Sequence, residues 1–337
     1  MNYVAESCSA WPRQVQHDAE RSARYNAAVF STFLIVLPVF ALIFAGWFAR
    51  RIDVLREHAA AELNRFVVYL ALPAMLAETI LHASWAEIWQ PGFVAAFGGS
   101  AVLLFALTMV IQLRRGAHLA DAAIDGLNAG YANTGFIGFP LALVALGPAA
   151  LAPAVVATII TACLLFAVAI ALIELGLQAE ASRGAILAKA GGRLIRNPIL
   201  VAPLLAGIFA ATGLTMPAPA DGFLKLLAAA ASPCALVALG AFLARSGKGA
   251  GAVREPAMLV GAKLFGQPLL AWGLATHVFR LPAPLTHTAV LLAALPTGTG
   301  PFMLAELYGR RAEVTSRVIL ASTIAAVITV SAYLALV

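Results

Sequence analysis

Residues 125–148 read DGLNAGYANTGFIGFPLALVALGP, an apolar stretch long enough to cross a bilayer that carries Asn133, Gly135, Gly138 and Pro140 near its centre. In a helix interior, proline removes a backbone hydrogen bond and glycine adds flexibility. In hydrocarbon an unpaired backbone group is costly, so irregular backbone persists only where protein or a watery cavity surrounds it. The stretch therefore predicts a broken membrane helix that lines a cavity.

The composition of the whole chain indicates a membrane protein. Hydrophobic residues make up 62% of the 337 positions, charged residues 11%, and the mean hydropathy is +0.90, whereas soluble domains are about 45–50% apolar and about 25% charged. The net charge of +6 comes from basic residues scattered between apolar segments, which is typical of cytoplasmic loops and predicts no nucleic-acid partner. Neither the three cysteines nor the six histidines form a metal-binding pattern, so no metal or cofactor is expected.

Apolar segments of about 20 residues, the length of a transmembrane helix, recur along the chain. They predict an all-α polytopic membrane protein with about ten transmembrane helices. The expected organisation is a polar N-terminal tail at 1–28, a first five-helix repeat at 29–180 and a second at 181–337. The predicted spans, numbered in chain order, are 30–49, 60–82, 92–113, 122–146, 151–177, 197–214, 223–244, 256–279, 285–308 and 314–336.

Charge and proline positions predict how these spans cross the membrane. Most lysines and arginines follow spans 1, 3, 5, 7 and 9, and positive charge is retained on the cytoplasmic side. Both termini are therefore expected outside the cytoplasmic (inner) membrane. Three pairs of prolines recur roughly 160 residues apart, and since five spans is an odd number, the second repeat is expected to be inverted, as in many secondary transporters. The pairs are Pro38 with Pro203, Pro73 with Pro233 and Pro140 with Pro301.

A second interruption, LPTGTGP at residues 295–301, lies in span 9. Span 4 rises from the cytoplasm and keeps about 8 residues after Pro140, while span 9 descends from outside and keeps about 8 after Pro301, or about 12 Å of helix in each case. The two breaks are therefore expected at similar depth. Each restarted half-helix would point its N-terminus, with free N–H groups and the positive end of its dipole, towards the membrane interior, which favours an anion.

The predicted substrate-binding residues lie at these two breaks and combine neutral polar groups with glycines and prolines. They are Asn133, Thr134, Gly135, Gly138, Pro140, Pro296, Thr297, Gly298, Thr299, Gly300 and Pro301. The alternative interpretation is structural: glycine and threonine allow close helix packing, and the asparagine satisfies backbone groups that proline leaves free. No catalytic residue is expected.

Charged residues within spans are costly and are candidates for function. Lys263 lies about seven residues into span 8. It either extends to the cytoplasmic interface, pairs with a carboxylate such as Glu306, or attracts an anionic substrate. Asp121 and Asp125 open span 4, where they are expected to cap the helix. The centres of the spans carry no carboxylate pair, which favours uniport or efflux driven by the membrane potential over proton or sodium coupling.

Three motifs resemble the auxin efflux carrier family, in particular the bacterial members described as malonate or other organic-acid permeases. They are LALPAMLAETI in span 2, GYANTGFIGFPLALVALG in span 4 and LPTGTGPFMLAELYG in span 9. The resemblance covers residues 30 to 337. It implies a ten-helix inverted-repeat fold shared with bile-acid symporters and sodium-proton antiporters, and an elevator movement of a transport domain against a scaffold of helices 1, 2, 6 and 7.

The resemblance also implies that helices 4 and 9 cross at proline breaks. Asn133 and Pro140 occupy crossover positions in helix 4. Where the family often has a single proline in helix 9, this chain has both Pro296 and Pro301, so either of them could mark the crossover.

Together these features predict a secondary transporter that moves a small mono- or dicarboxylate by alternating access. No ATP-binding loop of the Walker type occurs. A sodium- or proton-coupled uptake symporter of the same fold and a membrane protein that senses a solute without transporting it are the alternatives. A membrane enzyme would need a cluster of His, Asp or Cys at one membrane face. The expected partners are the organic anion and the lipid bilayer, and a homodimer is left open.

Overall fold

The computed structural model describes Phe30, Leu34 and residues 37–82, 90–177, 198–245 and 254–336. The predicted polar tail at 1–28 lies outside the described residues. Within them, the regular structure is helical apart from one isolated β-bridge. The helices are α1 (37–51), α2 (Ala59–Leu81), α3 (Pro91–Arg114), α4 (Leu119–Gly130), α5 (Thr134–Leu146), α6 (Pro148–Leu177), α7 (Pro198–Ala211), α8 (Ala218–Arg245), α9 (Arg254–Val278), α10 (Ala283–Ala293), α11 (Gly300–Leu307) and α12 (Ala312–Leu334).

The helix lengths and the exposed surface agree with a multi-pass membrane protein. Six helices, α2, α3, α6, α8, α9 and α12, are long and apolar enough to cross a membrane, and α5, α7 and α10 are shorter apolar helices. Large apolar side chains are exposed on several of them, including Leu107 at 55%, Leu204 at 64% and Ile328 at 61%. Such surfaces face lipid at no cost. The inverted relation of the two halves stays a prediction.

Three prolines within the membrane helices follow a widened, π-helical turn. The π-helical turns are Val67–Ala71 before Pro73 in α2, Thr134–Gly138 before Pro140 in α5, and Ala262–Gly266 before Pro268 in α9. Proline has no N–H and its ring clashes with the carbonyl one turn earlier. A π-helical turn shifts the hydrogen-bonding register at that point, so the helix continues through the proline.

Four helices form one group in the packing. Helix α2 packs against α7 and α8. Helices α1 and α8 approach so closely that a Cβ atom on Gly46 would lie 2.1 Å from the Val237 carbonyl oxygen, and one on Gly240 would lie 1.9 Å from that of Ile43. Small residues allow such backbone contacts between membrane helices. These helices correspond to predicted spans 1, 2, 6 and 7.

The remaining helices pack around the two breaks. Helix α3 packs against α4, α9 and α10, and α6 packs against α4. The largest buried cluster joins Ile137 and Leu141 of α5 to Leu291 of α10, Phe302 of α11 and Ile319 of α12. This cluster holds α5 and α11, the helices that follow the two breaks, in a fixed relation to each other.

Candidate functional site

The two breaks meet and pair with each other. An antiparallel bridge joins Ala132 to Thr297. On one side of it the Asn133 amide donates to the Pro296 carbonyl oxygen at 2.9 Å, and on the other the Gly298 amide donates to the Tyr131 carbonyl oxygen at 3.0 Å. Each break thus satisfies backbone groups of the other, which solves the problem of unpaired backbone within a membrane. The structure brings together the two interruptions that the sequence singled out.

The first break lies upstream of the position expected from its proline. Helix α4 ends at Gly130 and α5 begins at Thr134, whereas Pro140 lies in the first turn of the α-helical part of α5. The expectation that the helix breaks at Pro140 is therefore wrong, because the π-helical turn accommodates this proline. At the second break, Pro296 and Pro301 were both candidates for the crossover. Pro296 lies in the crossing, and Pro301 lies in the first turn of α11, where a backbone N–H would have no intrahelical acceptor in any case.

A small cavity lies beside the crossing, at the start of α5. Its volume of about 20 Å³ is sufficient for about one water molecule. Four predicted binding residues line it, namely Asn133, Thr134, Gly135 and Thr299. The other lining residues are Met75, Tyr131, Ala132, Phe136, Thr158 and Ala162. The described lining carries no formal charge, so a bound anion would be held by dipoles and hydrogen bonds.

Two polar side chains in this cavity have no hydrogen-bond partner among the described residues. They belong to Asn133, which is 5% exposed, and Thr299, which is 2% exposed. The fully buried polar atoms that lack a partner in the described residues lie elsewhere, as at Asn128 Oδ1 and Gln267. The polar atoms of Asn133 and Thr299 are therefore open to the cavity, where a bound solute or water would satisfy them. An amide that donates two hydrogen bonds and a hydroxyl that donates one are suited to a carboxylate.

The first turn of α5 adds backbone donors on the same side of the cavity. No acceptor in the described residues meets the amides of Gly135 and Phe136, as is usual at a helix N-terminus. The Thr134 hydroxyl is already paired, since it lies 3.0 Å from the Thr161 hydroxyl of α6. The positive end of the α5 dipole therefore faces the cavity with two free N–H groups.

Most of the other predicted binding residues support the crossing rather than line the cavity. The Thr297 hydroxyl donates to the Asn128 carbonyl oxygen at 2.8 Å, and its amide donates to the Ser322 hydroxyl at 3.1 Å. A Cβ atom on Gly298 or Gly300 would lie 2.8 or 2.7 Å from the ring of Tyr131. These two glycines are needed for close approach, since neither has a positive φ.

Lys263 is fully buried, so the interpretation that it extends to the cytoplasmic interface is wrong. Its ammonium donates to the Ala293 carbonyl oxygen at 2.7 Å. Ala293 is the last residue of α10, and a positive charge is favourable at the C-terminal end of a helix. Glu306 lies in the last turn of α11, and no ion pair between Lys263 and Glu306 occurs. Lys263 thus stabilises the end of α10 at the second break.

A larger, open cavity of about 420 Å³ adjoins the small one. Both cavities are lined by Met75, Gly135, Phe136 and Thr158. The larger one, here called the vestibule, continues to polar residues of α2 and α8, which are Glu78, Thr79, Lys225 and Ser232. The vestibule thus forms a route between the crossing and the end of the protein at which α2 ends and α8 begins.

Charged groups surround the mouth of the vestibule. The Lys225 ammonium lies 2.7 Å from the Asp221 carboxylate, and His82 lies 3.0 Å from Asp221 and 3.5 Å from Glu78. Lys225 is 51% exposed, so its ammonium can contact a solute as well as Asp221. Among the described residues, the mouth is therefore a charged region that a solute entering from this end encounters.

An ion-pair network closes the opposite end of α4. Arg310 binds Asp121 through two hydrogen bonds of 2.7 and 2.6 Å, and these bonds raise the pKa of the Arg310 guanidinium. Arg311 lies 2.8 Å from Asp125 and 2.5 Å from Glu255. Neither aspartate is the N-cap residue, because the side chain of His118 caps α4, although Asp121 lies in the first turn, where a negative charge is favourable. The two aspartates tie α4 to the segment that follows α11.

The cavity includes residues that the sequence did not single out. Met75 and Thr158 lie on α2 and α6, and Tyr131 precedes the break. Pro73 marks the turn of α2 that contains Met75, and Tyr131 is two residues from Asn133, so weak signals existed for these two. Thr158 has no such signal, since one threonine in an apolar helix indicates nothing about the face on which it lies.

Comparison with known proteins gives consistent matches. The model of a family described as membrane transport protein matches residues 32–334. A protein of Rhizobium meliloti (strain 1021), named "Putative malonate transporter", is 34% identical over 307 residues, which cover 90% of this chain and 95% of the relative. A protein of Escherichia coli (strain K12), named "Uncharacterized transporter YfdV", is 26% identical over 298 residues, covering 82% of this chain and 89% of the relative.

Proposed function

Because the chain belongs to the membrane transport protein family, that of the auxin efflux carriers, we propose that it is a secondary transporter of a small organic anion. The anion binds beside the crossing of the two broken helices and passes through the protein by alternating access. The single observation that carries this proposal is the pair of buried, unpartnered side chains of Asn133 and Thr299 in the crossing cavity.

The donors around the cavity favour a carboxylate. The Asn133 amide, the Thr299 hydroxyl and the free amides of Gly135 and Phe136 are all donors at the N-terminal end of α5. Charge-assisted hydrogen bonds to an anion are about twice as strong as neutral ones. A neutral site of this kind holds an anion without a buried ion pair, whose formation would require the desolvation of a second charge.

The substrate that we propose first is malonate, on the strength of the name of the rhizobial relative. The crossing cavity has the volume of about one water molecule, so it accommodates one oxygen of a carboxylate group, and the site must widen to take the whole group. The remainder of a dicarboxylate would extend into the vestibule towards Lys225. A dicarboxylate is therefore better matched to the site than a monocarboxylate of the same length.

Transport further requires that the site open to each side in turn. The grouping of α1, α2, α7 and α8 supports a scaffold against which the crossing helices move, and the vestibule lies where α2 and α8 face α5 and α6. In the proposed orientation both termini lie outside the cytoplasmic membrane, so the vestibule opens outwards. The ion pairs of Arg310 and Arg311 then lie at the cytoplasmic end.

Reconstitution into liposomes tests this proposal. Purified protein is incorporated with an imposed membrane potential, and the flux of radiolabelled malonate is compared with that of acetate and succinate. We expect a malonate flux that depends on the potential. Proton and sodium gradients applied in separate experiments distinguish a uniporter from a coupled symporter. Malonate binding without flux under any gradient would indicate a sensor, and the absence of both would contradict the proposal.

Gly135→Ala is a second test of the proposed site, and it is expected to leave the fold intact. A Cβ atom here would lie 3.8 Å from Thr158 Cγ2, an ordinary contact, so the protein should fold as well as the unsubstituted chain. The added methyl group occupies the small cavity, however, and we expect it to abolish malonate flux. Unchanged flux in this variant would mean that the anion passes elsewhere.

A further inference from the structure

A second large cavity lies at the cytoplasmic end in the proposed orientation. It has a volume of about 700 Å³ and lies between the end of α3 and the start of α9. Here it is called the α3–α9 cleft. Its lining residues are Gln112, Arg115, Gly116, Ala117, Arg254, Glu255 and Met258. It shares no lining residue with the crossing cavity or the vestibule, so it is not part of the proposed transport route.

Neither of the two guanidinium groups in the cleft forms an ion pair within the part of the chain that the structure describes. Arg115 interacts with Glu255 only at longer range, and its side chain donates to the Met258 sulfur at 3.2 Å. A thioether is a weak acceptor. Both arginines are exposed and therefore retain nearly all of their donors for a ligand.

The acidic residue of the cleft shares its arginine with a second carboxylate. Glu255 lies 2.5 Å from Arg311 and accepts a hydrogen bond from Gln112 at 2.8 Å, and Arg311 also pairs with Asp125. With Arg115 and Arg254 added to this group, the positive charges exceed the negative charges by one. Arginine forks match phosphate oxygens in geometry, so the cleft is suited to a phosphate group.

An apolar seam continues from the cleft along the membrane-facing surface. Leu104 of α3 meets α9 at Gly266, where a Cβ atom would lie 3.5 Å from Leu104 Cδ1. On either side of this seam large side chains are exposed, with Leu107 at 55%, Phe265 at 59% and Leu269 at 65%. On α9, Phe265 and Leu269 lie four residues apart, about one helical turn. An acyl chain can therefore lie below the cleft.

We propose that the α3–α9 cleft binds the phosphate of an anionic phospholipid, with Arg115 and Arg254 on the phosphate and an acyl chain along the seam. Basic pockets between membrane helices on the cytoplasmic side are typical sites for such headgroups. The apolar seam is what favours a lipid over a soluble anion, because a free phosphate would gain nothing from it. The site adjoins Glu255 and Gln112, so a bound lipid would reinforce the network that holds α4.

Lipid binding to the purified full-length protein tests this inference without reference to transport. The protein in detergent is titrated with phosphatidylglycerol and, separately, with phosphatidylcholine, and retained lipid is counted by native mass spectrometry. Phosphatidylglycerol should be retained preferentially. In Arg115→Gln/Arg254→Gln its apparent affinity should fall about thirtyfold, since each basic residue contributes about 1 kcal/mol near an anionic lipid surface. Equal retention of the two lipids by the unsubstituted protein would overturn the proposal, even if the variant failed to fold.

The control removes the same charge from another place. Arg51→Gln/Arg56→Gln also lowers the net charge by two, at the end of α1 and on the loop that follows it, which is predicted to face the same side. The affinity for phosphatidylglycerol should change less than threefold in this variant. A fall as large as in the cleft variant would indicate non-specific attraction and contradict a defined site. Thermal stabilisation by inorganic phosphate equal to that by phosphatidylglycerol would show a site for a free anion instead.

Discussion

The two breaks resemble each other in sequence but differ in what their polar groups do. At the first break the Asn133 side chain faces the cavity without a partner. At the second, the Thr297 hydroxyl and amide are both used in hydrogen bonds to neighbouring helices. The second break therefore acts mainly as the support on which the first is held. A similar composition of glycine, proline and small polar residues thus gives one surface for a ligand and one for structure.

Thr299 differs from Thr297 within the second break, because its side chain lines the cavity. Thr297 and Thr299 lie two residues apart, yet the former is bonded to Asn128 and the latter lines the cavity. Between them, Gly298 gives the Tyr131 ring room to approach. Residues two apart in an extended segment would point to the same side, but the backbone has already turned into the helical region at Thr299, with φ -77° and ψ -17°, so the two threonines face differently. Four predictions, taken here from the largest expected effect to the smallest, test this division of roles.

Gly300→Val is expected to have the largest effect, on stability. Its Cβ atom would lie 2.7 Å from Tyr131 Cζ and 3.0 Å from Phe166 Cε2, and overpacking of this kind lowers the free energy of unfolding by about 3 kcal/mol at the upper end. The measurement is thermal unfolding in detergent. Gly207→Val on α7, where nothing lies within 4 Å, is the control. Equal loss of stability in both variants would disprove the role of close approach.

Asn133→Ala should leave the fold intact and impair transport. Its side chain has no protein partner to lose, whereas hydrogen bonds to a charged substrate are worth about 1.5–3 kcal/mol, or roughly a tenfold to hundredfold rise in KM. Malonate flux in liposomes and thermal unfolding are measured on the same preparation. Asn64→Ala is the contrasting variant, since Asn64 donates to the Met303 carbonyl oxygen at 3.1 Å and its loss should lower stability. The reverse pattern would make Asn133 a structural residue.

Thr297→Val and Thr299→Val form a matched pair of nearly isosteric changes. In the first, the Asn128 carbonyl loses its 2.8 Å bond, so the free energy of unfolding should fall by about 1–2 kcal/mol. The second removes a hydroxyl that has no partner in the described residues, and it should weaken substrate binding with little change in stability. If the two variants behave alike in both assays, the assignment of separate roles within this break fails.

Lys225→Gln should have the smallest effect. Lys225 is half exposed at the mouth of the vestibule, so it would raise the local concentration of an anion without holding it tightly. We expect a twofold to fivefold lower flux at low salt that disappears at about 0.5 M salt, because screening removes the attraction. Arg65→Gln, on an exposed residue at the opposite end of α2, should leave outward-facing entry unchanged. A loss of flux that persists in high salt would place Lys225 in the binding site itself.

The sequence predicted the class of the protein and the location of its unusual features. Hydropathy marked apolar segments that overlap the described helices, and the motifs predicted the family that the comparisons show. The pattern around Asn133 and the run at 295–301 marked both breaks. These features are readable because hydrophobic length and the backbone effects of proline and glycine are local properties of the chain.

The exact position of the first break could not be predicted from the sequence. Pro140 suggested where α5 would be interrupted, but the π-helical turn at Thr134–Gly138 carries the helix through the proline. The chain leaves the helix at Tyr131 instead, where the pairing with Pro296 and Gly298 compensates its free backbone groups. The extended segment at the second break, which is distant in sequence, therefore determines where α4 ends.

What the sequence determined by itself is a membrane transport protein with two interrupted helices. Only the tertiary structure decided which residues at the interruptions face a cavity, that Lys263 caps α10, and that Asp121 pairs with Arg310 across 189 residues of sequence. The physical reason is the range of the interactions. Helix formation and membrane insertion depend on neighbours within a few turns, whereas the partner of a buried polar side chain is set by how helices far apart in the chain pack together.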